Sequence, residues 1–184
     1  MITEDFSQSL SIGASAPDFS LRATDGEWCT LESFSAQRWL VLQFTCNHCP
    51  YVLGSDDRLS ALVAGFEGAP IAWVGICSND AERYPQDSFE RMQERAPTLP
   101  YRYLHDPSQE VAQAYGAQVT PEFFIFERGA ADWTLRWHGT IDDSPRNASA
   151  ATTPYLQPAL QRLISGDDLA RTTTPVQGCS IKWR

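Results

Sequence analysis

Apolar positions in this chain fall into short runs separated by polar stretches rich in Gly, Pro, Asp and Ser, and the runs are of two kinds. Segments 40–44 (Leu-Val-Leu-Gln-Phe), 71–76 (Ile-Ala-Trp-Val-Gly-Ile), 101–104, 123–126 and 135–138 are too short for helices and predict strands. The first two are apolar enough to be covered on both faces. Elsewhere apolar residues recur at helical spacing: Leu59, Leu62, Val63 and Phe66 after Pro50; Phe89, Met92 and Ala96 within 87–96; Val111, Ala114 and Tyr115 before Gly116; Leu156, Leu160, Leu163 and Ile164 before Gly166. Asp106-Pro107 predicts an N-cap and first helical position for the third of these helices, and Pro158 a kink or a delayed start in the fourth. Asp25-Gly26 between 19–22 and 28–31 predicts a hairpin ahead of the core, and Arg128-Gly129 joins 123–126 to 135–138 as an antiparallel pair. From 172 onward neither period is visible, which predicts a surface tail anchored by Ile181 and Trp183.

The order hairpin, β, α, β, α, β, α, β, β, α implies parallel strands joined by helical crossovers, then an antiparallel pair and a closing helix. The expected fold is α/β, a three-layer α/β/α sandwich with an N-terminal β-hairpin extension and a C-terminal tail. At 184 residues the chain has the size of one domain, 1–184, with the extension over 1–34 and the tail over 167–184. A formal net charge of −9 argues against nucleic acid or an anionic membrane surface as partner. The longest nearly continuous apolar stretch, 71–77, falls far short of the ~20 residues of a membrane-spanning helix, so no membrane insertion is expected. Glu4 and Asp5 stand where an export leader would be basic, with no apolar run after them. The expected location is cytoplasmic, with an exported chain that has lost its leader as the alternative.

The chemistry concentrates in the five cysteines, at 29, 46, 49, 77 and 179, too few and too irregular for a disulfide scaffold. Cys46-Asn47-His48-Cys49 lies directly between a predicted buried strand and a predicted helix. A helix N-terminus presents unpaired N–H groups and partial positive charge, which favour a Cys46 thiolate, and a protonated His48 would favour it further. A C-x-x-C pair is also half of a zinc site, and two thiolates with a histidine suit Cu(I). Cys29, Cys77, Cys179, His105 and His138 supply no second ligand pair, so no metal and no bound cofactor are expected, with copper carriage left open. Cys29 and Cys77 read as small buried hydrophobes, His105 and His138 as strand-end residues satisfied by hydrogen bonds, and Trp133 and Trp137 as packing.

Several separated motifs give a resemblance. Gly13, Ala16, Pro17, Asp18, Phe19 and Leu21 match the "G-x-x-A-P-D-F-x-L" opening of redoxins; Cys46-Asn47-His48-Cys49-Pro50 resembles the active-site segment of a "C-N-H-C-P" subgroup; Thr120-Pro121 is similar to the Thr-cisPro step of thioredoxins. Gly139-Thr140-Ile141-Asp142-Asp143 and Gly178-Cys179-Ser180-Ile181-Lys182-Trp183 complete the match. The chain thus resembles the thioredoxin-like superfamily, in its AhpC/TSA (redoxin) branch of TlpA/ResA-like thiol–disulfide proteins.

That resemblance implies an antioxidant or thiol–disulfide oxidoreductase activity on protein or small-molecule thiols and disulfides. It makes Cys46 the exposed attacking thiolate, Cys49 the resolving partner, Thr120 a backbone-pairing site for an extended substrate, and Pro121 a cis residue shaping that surface. A thiol peroxidase acting on peroxide is the alternative. The T-x-x-C spacing that peroxidases need is missing, since Thr45 stands immediately before Cys46 and four positions before Cys49. The buried carboxylate that thioredoxins carry on the preceding strand is also missing. Gln43 is the polar residue there, so His48 or Asp80 is expected to relay protons through water, although Asp80 reads more simply as solvated. Cys179 lies thirteen positions beyond Gly166, an extended reach of roughly 43–47 Å. It is a candidate third redox thiol exchanging with Cys46, with plain tail packing as the alternative.

Overall fold

In the computed structural model, which describes residues 2–3 and 9–184, the elements follow the order read from the apolar pattern. They are β1 (Ile2–Thr3), β2 (Ser20–Ala23), β3 (Trp28–Thr30), β4 (Trp39–Phe44), α1 (Pro50–Gly65), β5 (Ile71–Cys77), α2 (Phe89–Arg95), β6 (Arg102–His105), α3 (Glu110–Tyr115), β7 (Val119–Thr120), β8 (Glu122–Arg128), β9 (Trp133–Gly139), α4 (Leu156–Ser165), β10 (Val176–Gln177) and β11 (Cys179–Ser180). The leader reading made at Glu4 and Asp5 lies outside the described residues.

Seven strands form one sheet of order β3-β2-β6-β5-β4-β8-β9. β4 is central, parallel to β5 and antiparallel to β8, and all six of its residues are buried. Period-two alternation sends Leu40, Leu42 and Phe44 to one face, among Phe124, Phe126 and Tyr115 of α3, and Trp39 and Val41 to the other. There they meet Val52 and Leu59 of α1, Met92 of α2, and Leu160 and Leu163 of α4. The result is the three-layer arrangement expected of a thioredoxin-like fold. Arg58 ties α1 to the chain beyond β9, with Nε 2.7 Å from Asp142 Oδ2. No helix among the described residues is long and apolar enough to cross a membrane.

Local differences from the sequence reading have physical causes. The hairpin β2–β3 does not stand apart ahead of the core: β2 pairs antiparallel with β6 and closes what would otherwise be an open edge. α2 starts at Phe89, with Ser88 as the cap that accepts the Arg91 N–H, and Asp87 stays outside the helix. α3 starts at Glu110 behind Gln109, whose φ of 66° turns the chain. Asp106 is buried instead of forming a surface cap: its carboxylate accepts from Ser78 Oγ at 2.8 Å and from the Ala112 N–H at 3.1 Å. Pro158 falls in the first turn of α4, where its missing N–H is not needed, so the helix accommodates it.

The tail also differs. Trp183 is exposed and does not anchor it, whereas Ile181 is buried. The anchoring is completed by buried Val176, by Asn79 and Gln109 side chains on the Lys182 backbone, and by backbone pairing of β10 with β1 and β11 with β7, in strands of two residues that are too short to show a period.

Candidate functional site

β4 ends beside β5, and the Thr45 N–H still reaches the Ile76 carbonyl at 2.9 Å before the chain leaves the sheet at Cys46. Three residues later Cys49 is the N-cap of α1, with Pro50 at the first helical position. The loop between the two cysteines is fastened from outside. Arg95 Nη1 donates to the Cys46 carbonyl at 2.7 Å, Tyr103 Oη to Asn47 Oδ1 at 3.0 Å, and Asn47 Nδ2 to the Gln86 carbonyl at 2.8 Å.

Facing the cysteines is the cis peptide Thr120–Pro121. Cys46 Sγ lies 3.6 Å from Thr120 Oγ1, and Cys49 Sγ lies 3.2 Å from the Thr120 carbonyl oxygen. The structure therefore brings Cys46, Cys49, Thr120 and Pro121 together. Cys179 joins them, because β11 pairs Cys179 opposite Thr120 and its side chain packs against the cluster that holds Cys46 and Cys49. The chain's own tail thus occupies the backbone edge expected to receive a substrate strand.

Asp87 is the residue that sequence reasoning missed. It is fully buried, accepts the Asn47 N–H and Asn79 Nδ2 at 2.7 Å each, and stands 2.7 Å from His48 Nδ1. The His48 approach is an ion-pair distance without hydrogen-bond alignment of the ring. His48 is partly exposed and stacks on Tyr84, ring centroids 5.6 Å apart and 5° from parallel. No spacing rule in the sequence points to Asp87, which comes from a loop beyond β5 and reads there as the start of a helix.

One expectation for Cys46 is corrected. It is not exposed: Cys46 and Cys49 have relative exposures of 0% and 1%. The Cys46 thiol is pushed up, first by its hydrogen bond to Cys49, then by burial and by the Asp87 carboxylate. Cys49 is pulled down, chiefly by the hydrogen bond from Cys46, with help from Cys179, Thr120 and the Val52 N–H, and against burial. The helix N-terminus at Cys49 and the Asp87 carboxylate beside Cys46 both favour the anion on Cys49. Cys179 is raised to about 11 by burial and by its hydrogen bond to Cys49.

Of the expected proton relays, Asp80 is neither solvated nor at the dithiol. It is buried against the tail, where its N–H donates to the Lys182 carbonyl at 2.8 Å and its carboxylate faces Arg83 and Arg184. A further buried carboxylate is Glu122, which accepts the Gln118 and Val119 N–H groups at 2.7 and 3.0 Å and meets His138 Nε2 at 2.7 Å. It holds the segment leading into Thr120 and satisfies His138 as the strand-end reading anticipated. His105 stacks on Phe89 at 5.5 Å, and burial pushes its pKa down. Cys29 and Cys77 are buried, and burial lifts Cys77 to about 12. One group of metal-donor atoms exists among the described residues: those of Cys46, His48 and Asp87 lie within 4.8 Å of one another. Both Asp87 oxygens already accept hydrogen bonds there, one from the Asn47 N–H and one from Asn79 Nδ2, and each keeps a second lone pair.

Comparison with known proteins agrees with this architecture. The sequence model of the AhpC/TSA family matches residues 12–134. A conserved protein of uncharacterised function from Geobacillus kaustophilus has a crystal structure similar to this chain, with 36% identity and a TM-score of 0.88 over 100% of this chain and 96% of that one. A hypothetical protein from Sinorhizobium meliloti 1021 is similar at 36% identity and a TM-score of 0.86, covering 96% of each. A thiol–disulfide oxidoreductase from Bacteroides fragilis shares the fold at 20% identity, with a TM-score of 0.60 over 82% of this chain and 99% of that one. No curated protein sequence matches the chain.

Proposed function

The chain belongs to the AhpC/TSA family, and from that premise we propose that it is a thiol–disulfide oxidoreductase that cycles Cys46 and Cys49 between dithiol and disulfide. The observation that carries this reading is the juxtaposition of the two sulfurs with Thr120 at the start of α1. One proton shared between two thiols gives a nucleophile and a resolving group in one place. In the oxidising direction the Cys49 thiolate attacks a disulfide and expels a thiolate. Cys46 then attacks the Cys49 sulfur of the mixed disulfide, its proton passes to the second leaving thiolate, and the Cys46–Cys49 bond closes. His48, held against Asp87 and partly open to solvent, is the group that carries that proton outward to the leaving thiolate. The same steps run backward when a thiol is in excess, as in the cytoplasm, the compartment we propose.

The test is equilibration of the purified chain with dithiothreitol and oxidised dithiothreitol, followed by acid quench and peptide mapping. A reversible Cys46–Cys49 disulfide, lost in Cys46→Ser and Cys49→Ser, is the expected result; cysteines that stay reduced across the whole range refute the reading. Peroxide as substrate lacks the T-x-x-C geometry, and a peroxide-consumption assay should read no more than the background of a buried thiol. A second reading, a metal-binding module, is supported by the Cys46, His48 and Asp87 donor set. Stoichiometric metal on the protein as purified, lost in Asp87→Ala while the dithiol never cycles, would favour it.

A further inference from the structure

A dithiol that exchanges electrons needs a sulfur that solvent can reach, and the Cys46 and Cys49 sulfurs are covered. Cys179 is the partly exposed sulfur of the three. β11 sets it opposite Thr120 in antiparallel register, the position in which a cysteine of an incoming strand would lie. The preceding residue, Gly178, makes this approach close: a Cβ there would overlap the Thr120 carbonyl. Beyond Cys179 the tail is pinned. The Ile181 N–H donates to the Gln118 carbonyl at 3.0 Å, the Lys182 N–H to Asn79 Oδ1 at 2.9 Å, and Gln109 Nε2 to the Lys182 carbonyl at 2.9 Å.

We propose that Cys179 is the port of the dithiol, relaying exchange between a low-molecular-weight disulfide and Cys49, and that the paired tail excludes extended polypeptides from the Thr120 edge. This rests on the oxidoreductase reading above and deepens it. In the oxidising direction the Cys179 thiolate attacks the small disulfide RSSR, forming Cys179–S–S–R and releasing RS⁻. The Cys49 thiolate attacks the Cys179 sulfur, forming Cys49–Cys179 and releasing the second RS⁻. Cys46 attacks the Cys49 sulfur, forming Cys46–Cys49 and returning Cys179 as a thiolate. Two protein thiols are oxidised and one disulfide is reduced to two thiols, and the two protons follow the leaving thiolates. Cys49 Sγ lies at the Thr120 carbonyl and Cys179 stands opposite the same residue, packed on the same cluster, so the resting charge passes between neighbouring sulfurs to reach the outer one.

The test uses the full reduced chain with oxidised glutathione as the probe, quenched in acid at intervals, alkylated and mapped by mass spectrometry. Cys49→Ser should accumulate glutathione on Cys179. Cys179→Ser, which keeps the tail backbone paired, should slow formation of the Cys46–Cys49 disulfide by about tenfold or more, because an intramolecular thiol is lost. Gly178→Ala, which crowds the tail off Thr120, should raise the rate toward a disulfide-bonded peptide several-fold. It guards against a Cys179→Ser effect that comes only from disturbed packing. Glutathione found on Cys46 in Cys49→Ser, or a Cys46–Cys49 bond that forms equally fast without Cys179, overturns the relay alone. A wild-type chain that never forms that bond overturns the oxidoreductase reading, and the relay with it.

Discussion

Replacing Asp87 with Asn removes a negative charge from the wall of the dithiol site while keeping the side chain's size. An Asp87 oxygen and the Cys46 sulfur lie within 4.8 Å. At an effective dielectric of about 20, two unit charges that far apart repel by about 3.5 kcal/mol. That is the full penalty with the anion on Cys46, and it is smaller with the charge on Cys49, where the site favours it. The disulfide form carries no thiolate, so the penalty falls on the reduced state alone. For a two-electron couple about 1.4 kcal/mol corresponds to about 30 mV, which makes the upper limit of the shift about 75 mV. The Asp87→Asn protein should therefore be more oxidising by roughly 30–75 mV at pH 7. Graded dithiothreitol or glutathione buffers, with free thiols counted by mass after denaturing alkylation, read this directly. The variant also puts an amide donor where Asn79 Nδ2 and His48 Nδ1 approach an acceptor, a mismatch of about 1–3 kcal/mol that falls on both redox forms. An unchanged or lower potential would refute the electrostatic account of the site.

Two further predictions concern stability. Glu122→Ala strips the acceptor from the Gln118 and Val119 N–H groups and the partner from buried His138, and should cost about 3–5 kcal/mol in urea unfolding; a loss under about 1 kcal/mol would contradict a structural role. Burial raises the pKa of Cys77, Tyr101, Tyr103 and Tyr115. The folded chain keeps these protons while the unfolded chain loses them from about pH 8.5 for the thiol and about pH 10 for the phenols. Their contribution is therefore whole below about pH 8.5 and drains as pH rises, to about 12 for Cys77. The slope is about 1.4 kcal/mol per pH unit per group. Cys77→Val should flatten the first part of that decline in urea midpoints taken from pH 8 to 11, and an identical slope would count against the assignment.

How much of this was legible beforehand depended on sequence distance. β4 announces itself because a strand covered on both faces must be apolar at nearly every position, and α1 because Pro50 and the Leu59, Leu62, Val63 spacing mark one helix. The cysteine pair was legible because its chemistry lies within four residues. Asp87 was not: an acidic residue before Ser88 looks like ordinary helix-start chemistry, and only the folded loop brings it to Asn47 and His48. Arg95 was read as one more residue of a helix, yet it holds the Cys46 carbonyl. The tail escaped for a different reason. Two-residue strands have no period to read, and their pairing partners, Thr120 and Val119, lie some sixty positions back.

The tail decides what the dithiol can meet. β11 contributes only two residues of pairing, and the contacts beyond it are a few hydrogen bonds to the tail backbone, some from the Asn79 and Gln109 side chains, the Arg184–Asp80 approach and one buried Ile181. Segments held in this way open far more readily than the core strands do. A small disulfide reaching Cys179 needs no such opening, whereas a polypeptide seeking the Thr120 edge can bind only the open fraction, and its apparent affinity falls by that fraction. Every 1.4 kcal/mol of tail attachment thus divides peptide access by about ten while leaving exchange at Cys179 untouched. Selectivity here comes from competition by the chain itself, with Gly178 setting how closely the competitor can lie. Lengthening or weakening that strap is the change by which this scaffold would pass from small thiols to protein substrates without altering Cys46 or Cys49.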